Sequence, residues 1–224
     1  RTSDNNVIIK SAQLTNNQAT DFQNKLASLS AEKVETNRFE SIGPVLGQEL
    51  LLKTVLALGI AAIVIMIYVA FVFKNYIYGV SAIIAMFHDT IIVLGAFALF
   101  GKIWNIEVDS LFVTAVLTTL SFSVHDTVVV YDRIRESMKK FPGTSITDLA
   151  NKAITETMPR SLNNSMTIIF MLTALLLIGG STVYWMAAAL LIGTVSGTYS
   201  SPFVAVPILV TWTNWMNRRK AVKK

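Results

Sequence analysis

The sequence predicts a polytopic α-helical membrane protein: a transmembrane bundle with a small α+β extracytoplasmic domain ahead of it. Two observations carry that prediction. Of 224 residues 53% are hydrophobic, and the mean hydropathy is +0.54, more apolar side chain than a water-soluble fold of this size hides. After Gly47 the chain then runs through a series of long charge-poor stretches, each near the roughly 20 residues needed to cross a ~30 Å hydrocarbon core.

Residues 1–50 are polar and mixed in charge. Positions 7–10 are β-prone. Thr15 and Gln18 have the spacing of a capping box, and Phe22, Leu26 and Leu29 follow at helical spacing. Residues 33–39 alternate as a strand does. The order β-α-β is half of an α+β domain. It is too thin to fold alone, so a partner or a further segment is expected to complete it.

Spans are predicted at about 54–73, 76–100, 111–131, 161–178 and 183–212, making a bundle over 51–217. Pro202 and Pro207 are expected to kink the last span or mark its exit from the bilayer. The 132–160 loop carries Arg133, Arg135, Lys139, Lys140, Lys152 and Arg160, and the 218–224 tail is basic as well. The short loop at 101–110 has only Lys102, against Glu107 and Asp109. The positive-inside rule places the loop and tail in the cytoplasm and residues 1–50 outside. The tail reads as an anchor at anionic membrane lipids. Nucleic acid is not an expected partner, because no basic face is interleaved with aromatics. Within the loop, Ser145 and Asp148 form a second capping box. Ile146, Leu149, Ala153 and Ile154 follow it as an amphipathic helix expected to lie on the interface.

Without cysteine, disulfides and thiolate metal sites are excluded. Two histidines without a third ligand make a poor metal site. No protease, hydrolase or phosphate-loop motif is present, so neither an enzyme nor a cofactor is expected.

The chemistry is expected where charge enters the bilayer, at His88-Asp89 and His125-Asp126. A carboxylate in the core costs about 2.5–3.5 kcal/mol even on mild insertion scales, so intramembrane acids are functional by default. Neighbours on a helix point about 100° apart, so each His and Asp is expected to find its partner on another helix rather than in each other. Asp126 shares a stripe with Ser123 and Thr119. A second stripe runs through Arg160, Asn164 and Thr167, and a small-residue stripe through Gly193, Gly197 and Ser200. The three are expected to face one another, with Gly193 and Gly197 allowing close backbone approach. The helix of Asp89 has no comparable stripe. His88 and His125 read as packing residues at least as readily as titrating ones.

The run from Asp126 to Glu136, Asp-Thr-Val-Val-Val-Tyr-Asp-Arg-Ile-Arg-Glu, resembles the signature of the SecF family. These proteins are accessory subunits of the bacterial protein-export translocase. Ser41-Ile42-Gly43-Pro44, Gly47-x-Glu49-Leu50, His88-Asp89, Arg160-Ser161-Leu162 with Ser165 and Thr167, and Gly197-Thr198-Tyr199-Ser200-Ser201 agree in order. The resemblance covers the chain from about residue 38 onward. It implies a bundle of the resistance-nodulation-division type, a SecD partner beside the SecYEG translocon, and an unfolded secretory polypeptide as cargo. It also implies use of a proton or sodium gradient. Alternatives are an exporter of lipids or small molecules, or a purely structural translocase subunit. The family has six spans, so a first span is expected ahead of Arg1. His125 stands where asparagine is usual, Asn163 where threonine is, and Pro202 where an aliphatic residue is. SecD is expected to pack at or beside Gly193 and Gly197.

Overall fold

The computed structural model describes residues 16–29 and 44–222. Among the described residues there are seven α-helices, one π segment and no strand. The chain divides into two units, Arg1–Val55 and Leu56–Lys224. In the first unit lie α1 (Asn16–Leu29) and the opening turns of α2 (Pro44–Phe73). Helix α1 falls where the Phe22/Leu26/Leu29 spacing predicts it. The expected strands at 7–10 and 33–39, and Thr15 of the first capping box, lie outside the described residues.

The second unit continues α2 and adds α3 (Tyr76–Trp104), α4 (Ser110–Lys140), α5 (Ile146–Ile178), α6 (Ser181–Ser200), a π segment (Ser201–Ala205) and α7 (Val206–Val222). Among the described residues five helical runs are long and apolar enough to cross a membrane: Leu51–Phe73, Tyr76–Trp104, Ser110–Lys140, Ile146–Ile178 and Ser181–Arg219. Each contains one predicted span. Ile60, Ile63, Val64, Ile67 and Phe71 of α2 are exposed, as suits a surface solvated by lipid rather than water.

Local chemistry sets the turns. Between α2 and α3, Lys74 takes a left-handed φ of 53°, and Asn75 caps α3 by accepting from the Ile77 N–H at 3.1 Å. Asp109 caps α4 in the same way, accepting from the Phe112 N–H at 2.9 Å. Half of the predicted capping box at α5 is shown: Ser145 Oγ accepts from the Asp148 N–H at 3.1 Å, and its hydroxyl donates to the Asp148 carboxylate at 2.6 Å.

Two expectations about the 132–160 interval are corrected. The interval is helical nearly throughout, because α4 runs to Lys140 and α5 begins at Ile146 and continues through Pro159. A proline inside a helix removes one backbone hydrogen bond, which the packing on either side outweighs here. The amphipathic face also does not lie on the interface. Leu149, Ala150 and Ala153 are buried, and the two alanines pack with Val130, Tyr131, Ile134 and Leu209 in one apolar cluster. The small alanines let α5 approach α4 closely.

That cluster closes one end of the bundle. Phe73, Tyr78 and Tyr131 meet there, Phe73 stacked on Tyr78 at 5.0 Å and Tyr131 edge-on to both. A second cluster of Val93, Phe97, Phe112, Ala115, Val116 and Ala189 closes the other end. The candidate polar residues lie between the two.

At Pro202 the helix changes pitch. Proline has no N–H and its ring crowds the carbonyl four residues back. The chain takes the wider π turn, with the Val206 N–H donating to the Ser201 carbonyl. The helical path then resumes as α7.

Candidate functional site

Asp89 stands near the middle of α3 and is 2% exposed. Its carboxylate collects donors from two other helices. Ser196 Oγ donates to Oδ1 at 2.7 Å. Ser123 Oγ and Ser200 Oγ donate to Oδ2 at 2.5 and 2.6 Å. His88 Nδ1 lies 3.1 Å from Oδ1. A buried carboxylate accepting several hydrogen bonds is how a protein keeps such a group in low dielectric.

The His88 contact corrects the expectation that neighbouring His and Asp side chains do not meet. The two bonds leave the helix about 100° apart, but the imidazole is long enough to fold back across the face of α3. His88 itself is part-exposed, 35% at the side chain, so it edges the Asp89 site from outside.

Asp126 lies one turn beyond Ser123 on α4 and is 7% exposed. It lines a small cavity with Phe122 and His125 of α4, Asn164, Ser165 and Ile168 of α5, and Thr194, Gly197 and Thr198 of α6. The cavity holds about 20 Å³, room for one water. His125 adjoins the Asp126 carboxylate and the Ser161 hydroxyl of α5 is within its reach. Thr198 Oγ1 donates to Ser165 Oγ at 2.6 Å across the cavity wall.

The stripes on α4 and α6 face each other as expected. An ideal Cβ on Gly193 would stand 2.6 Å from Thr119 Cβ, and one on Gly197 would stand 3.2 Å from both Cα and Cβ of Ser123. The glycines therefore serve the α4–α6 contact. On this face of α6 both glycines are covered by α4.

The α5 stripe sits differently. Ser165 is buried, while Thr167 is exposed and donates to the Asn163 carbonyl at 2.9 Å. Arg160 is exposed, and among the described residues no ion pair joins it to Asp126. The inward face runs through Ser161, Ser165 and Ile168, one position round from Arg160, Asn164 and Thr167. Asn164 reaches the cavity from the edge of that face.

Several polar residues were not singled out from the sequence. Thr127 Oγ1 and Ser201 Oγ are 2.9 Å apart, and Tyr131 Oη pairs with Ser81 Oγ at 2.7 Å and donates to the Ala205 carbonyl at 3.2 Å. Ser196 carried a readable signal. It completes the spacing Gly193, Ser196, Gly197, Ser200, a single helix face of small residues. Among the described residues no three His, Cys, Asp or Glu side chains group as a metal site.

Comparison with known proteins supplies the family. Residues 21–215 match the model of the protein export membrane protein SecD/SecF, C-terminal family. The chain belongs to the SecD/SecF protein export membrane family. Within it, the chain is 48% identical over 180 residues to a protein translocase subunit SecF of Thermobaculum terrenum, covering 79% of this chain and 57% of that one. It is 38% identical over 227 residues to the SecF of Anaerolinea thermophila, covering 97% and 74%. The chain thus spans a little over half of the first relative and about three quarters of the second. Among solved structures, a crystal structure of SecDF, a translocon-associated membrane protein from Thermus thermophilus, superimposes with a TM-score of 0.74 at 32% identity. It covers 90% of this chain and 27% of that one. SecDF in a super-membrane-facing form gives a TM-score of 0.71 at 30% identity, covering 94% and 28%. The family's bundle is therefore the fold of this membrane protein.

Proposed function

We propose that the chain is the SecF-type part of a protein-export translocase, pairing with SecD beside the SecYEG translocon. An ion gradient, proton or sodium, drives an unfolded secretory polypeptide outward, and the chain catalyses no chemical step of its own. The observation that carries this reading is Asp126: an acid buried among hydroxyls and an amide, beside a one-water cavity, inside a chain of the export family. Protonating Asp126 removes its charge, and giving up the proton restores it. Either change alters what α5 and α6 must offer it. Ser123, Thr119, Asn164 and Thr167 belong to the polar faces that would guide the ion, with Ser161, Ser165 and Thr198 nearer the cavity. Arg160 is one helical step, about 100°, from the face of α5 turned to Asp126. Its long side chain, rather than a turn of the packed helix, would swing the charge towards a deprotonated Asp126. His125 and His88 are the further ionisable groups beside the pathway. Residues 1–50 belong to the extracytoplasmic side that the cycle moves, and the 132–160 hairpin and basic tail face the cytoplasm and its anionic lipids.

The test is export into inverted vesicles holding the complete translocase, with and without an imposed gradient. Asp126→Asn should assemble normally and lose the gradient-stimulated fraction of export. Wild-type stimulation by the gradient in Asp126→Asn would reduce the carboxylate to a structural part.

A further inference from the structure

Two acids flank one helix contact. The α4–α6 seam runs through Thr119 against Gly193 and Ser123 against Gly197. On one flank α4 gives Ser123, and α6 gives Ser196 and Ser200, to the Asp89 carboxylate. On the other flank α4 gives Phe122, His125 and Asp126, and α6 gives Thr194, Gly197 and Thr198, to the cavity. The residues alternate along both helices, so the flanks share the same few turns.

We propose that Asp89 is a positioning residue for the gradient-coupled step: its carboxylate fastens Ser123 of α4 to Ser196 and Ser200 of α6 and thereby sets the width of the Asp126 cavity. The inference rests on the reading of Asp126 as the coupling acid, and concerns a different residue on a different helix. Ser123 and Ser200 share Oδ2, so α4 and α6 are joined through a single oxygen atom. Separating the helices far enough to admit more water beside Asp126 breaks at least one of these bonds. In a buried site no water replaces these hydrogen bonds once they are broken. Glycine on the α6 side lets the two helices close tightly along the seam, and the clamp fastens them on one flank of it. Directly past Ser200, the π segment adds a helical step that cannot keep standard α pitch. The clamp thus grips α6 at the last regular turn before its irregular one.

The chain has no cysteine, so a single reporter can be introduced cleanly. In the full complex with a cysteine-free partner subunit, Ile168→Cys places a thiol on the α5 wall of the cavity. Its rate of reaction with a small charged thiosulfonate reads how open the cavity is. Asp89→Asn should raise that rate about tenfold, the factor lost with one buried hydrogen bond. Ser196→Ala and Ser200→Ala should each raise it by a smaller factor. At equal amounts of assembled complex, Asp89→Asn should also lose gradient-stimulated export and keep the gradient-independent part. If Asp89→Asn does not assemble, the two serine variants carry the test, since each removes only a hydroxyl. Labelling per assembled complex unchanged in the variants that assemble would overturn the clamp, and loss of assembly alone would mark a merely structural role. If Asp126→Asn kept its gradient response while Asp89→Asn labelled faster, the coupling reading would fall and the clamp would stand.

Discussion

Gly193 lies so close to Thr119 that an ideal Cβ on the glycine would stand 2.6 Å from the threonine Cβ. Real carbon atoms do not approach so closely, so α6 can meet α4 here only without a side chain. Gly193→Ala should destabilise the bundle by about 1–3 kcal/mol, as overpacking a tight core does. Gly197→Ala meets Ser123 at 3.2 Å and should cost less, about 1 kcal/mol. Thr119→Ala should relieve Gly193→Ala only in part, because the threonine Cβ remains. Thermal unfolding of the purified complex measures all three. Equal losses for the two glycines would contradict the packing described.

At the charged end of α4, Arg135 Nη1 donates to the Val72 carbonyl at 2.9 Å while its guanidinium lies 5.1 Å from the Phe73 ring centre. Nη2 also pairs with Asp132 at 2.6 Å. The planar fork makes these contacts at once, and an ammonium cannot. Arg135→Lys should therefore destabilise by about 1 kcal/mol despite keeping the charge. Asp132→Asn removes only a surface pair and should cost less. A lysine variant as stable as the parent would show that charge alone suffices here.

The spans were legible in the sequence because the bilayer imposes one length and one composition. Asp126 was legible because its neighbours on α4 are polar at helical spacing. Asp89 was less so, for a physical reason: its donors come from Ser123, Ser196 and Ser200 on other helices, and spacing along α3 carries no trace of them. The rotation of α5 was hidden likewise. Arg160, Asn164 and Thr167 make a tidy polar stripe, yet Ser161, Ser165 and Ile168 turn inward. Leu149, Ala150 and Ala153 fix the start of α5 against α4, and that fixes the rest of the helix. The long run of α5 through Pro159 is not legible in the sequence, because a proline beside a charged segment reads as a boundary when packing is unseen.

Orientation can be checked with the same cysteine-free background. Ser145 caps α5 in the turn after α4, and Gln23 is exposed on α1. The lysine and arginine excess puts the first inside and the second outside. Gln23→Cys should react with an impermeant thiol reagent added to cells whose outer barriers have been opened. Ser145→Cys should react only once the inner membrane is breached. Labelling of Ser145→Cys before that breach would reverse the topology.

Tyr131 joins α4 to the π segment, and its substitution separates anchoring from bulk packing. The side chain is fully buried between Phe73 and Tyr78. Its hydroxyl pairs with Ser81 Oγ at 2.7 Å and donates to the Ala205 carbonyl at 3.2 Å. Tyr131→Phe keeps the ring and removes only the hydroxyl. Ser81 still has the Ile77 carbonyl at 2.7 Å, so its own loss is small, but Ala205 loses its side-chain donor. The cost should be about 1 kcal/mol. Tyr131→Ala also empties the ring's volume and should cost about 3–5 kcal/mol. Combining Tyr131→Phe with Ser81→Ala should cost less than the sum of the two, because the second change removes a partner the first has already released. Strict additivity in that cycle would mean the Ser81–Tyr131 bond contributes nothing to holding α3 and α4 together. The π segment would then be held chiefly by Thr127 and Ser201, whose hydroxyls are 2.9 Å apart.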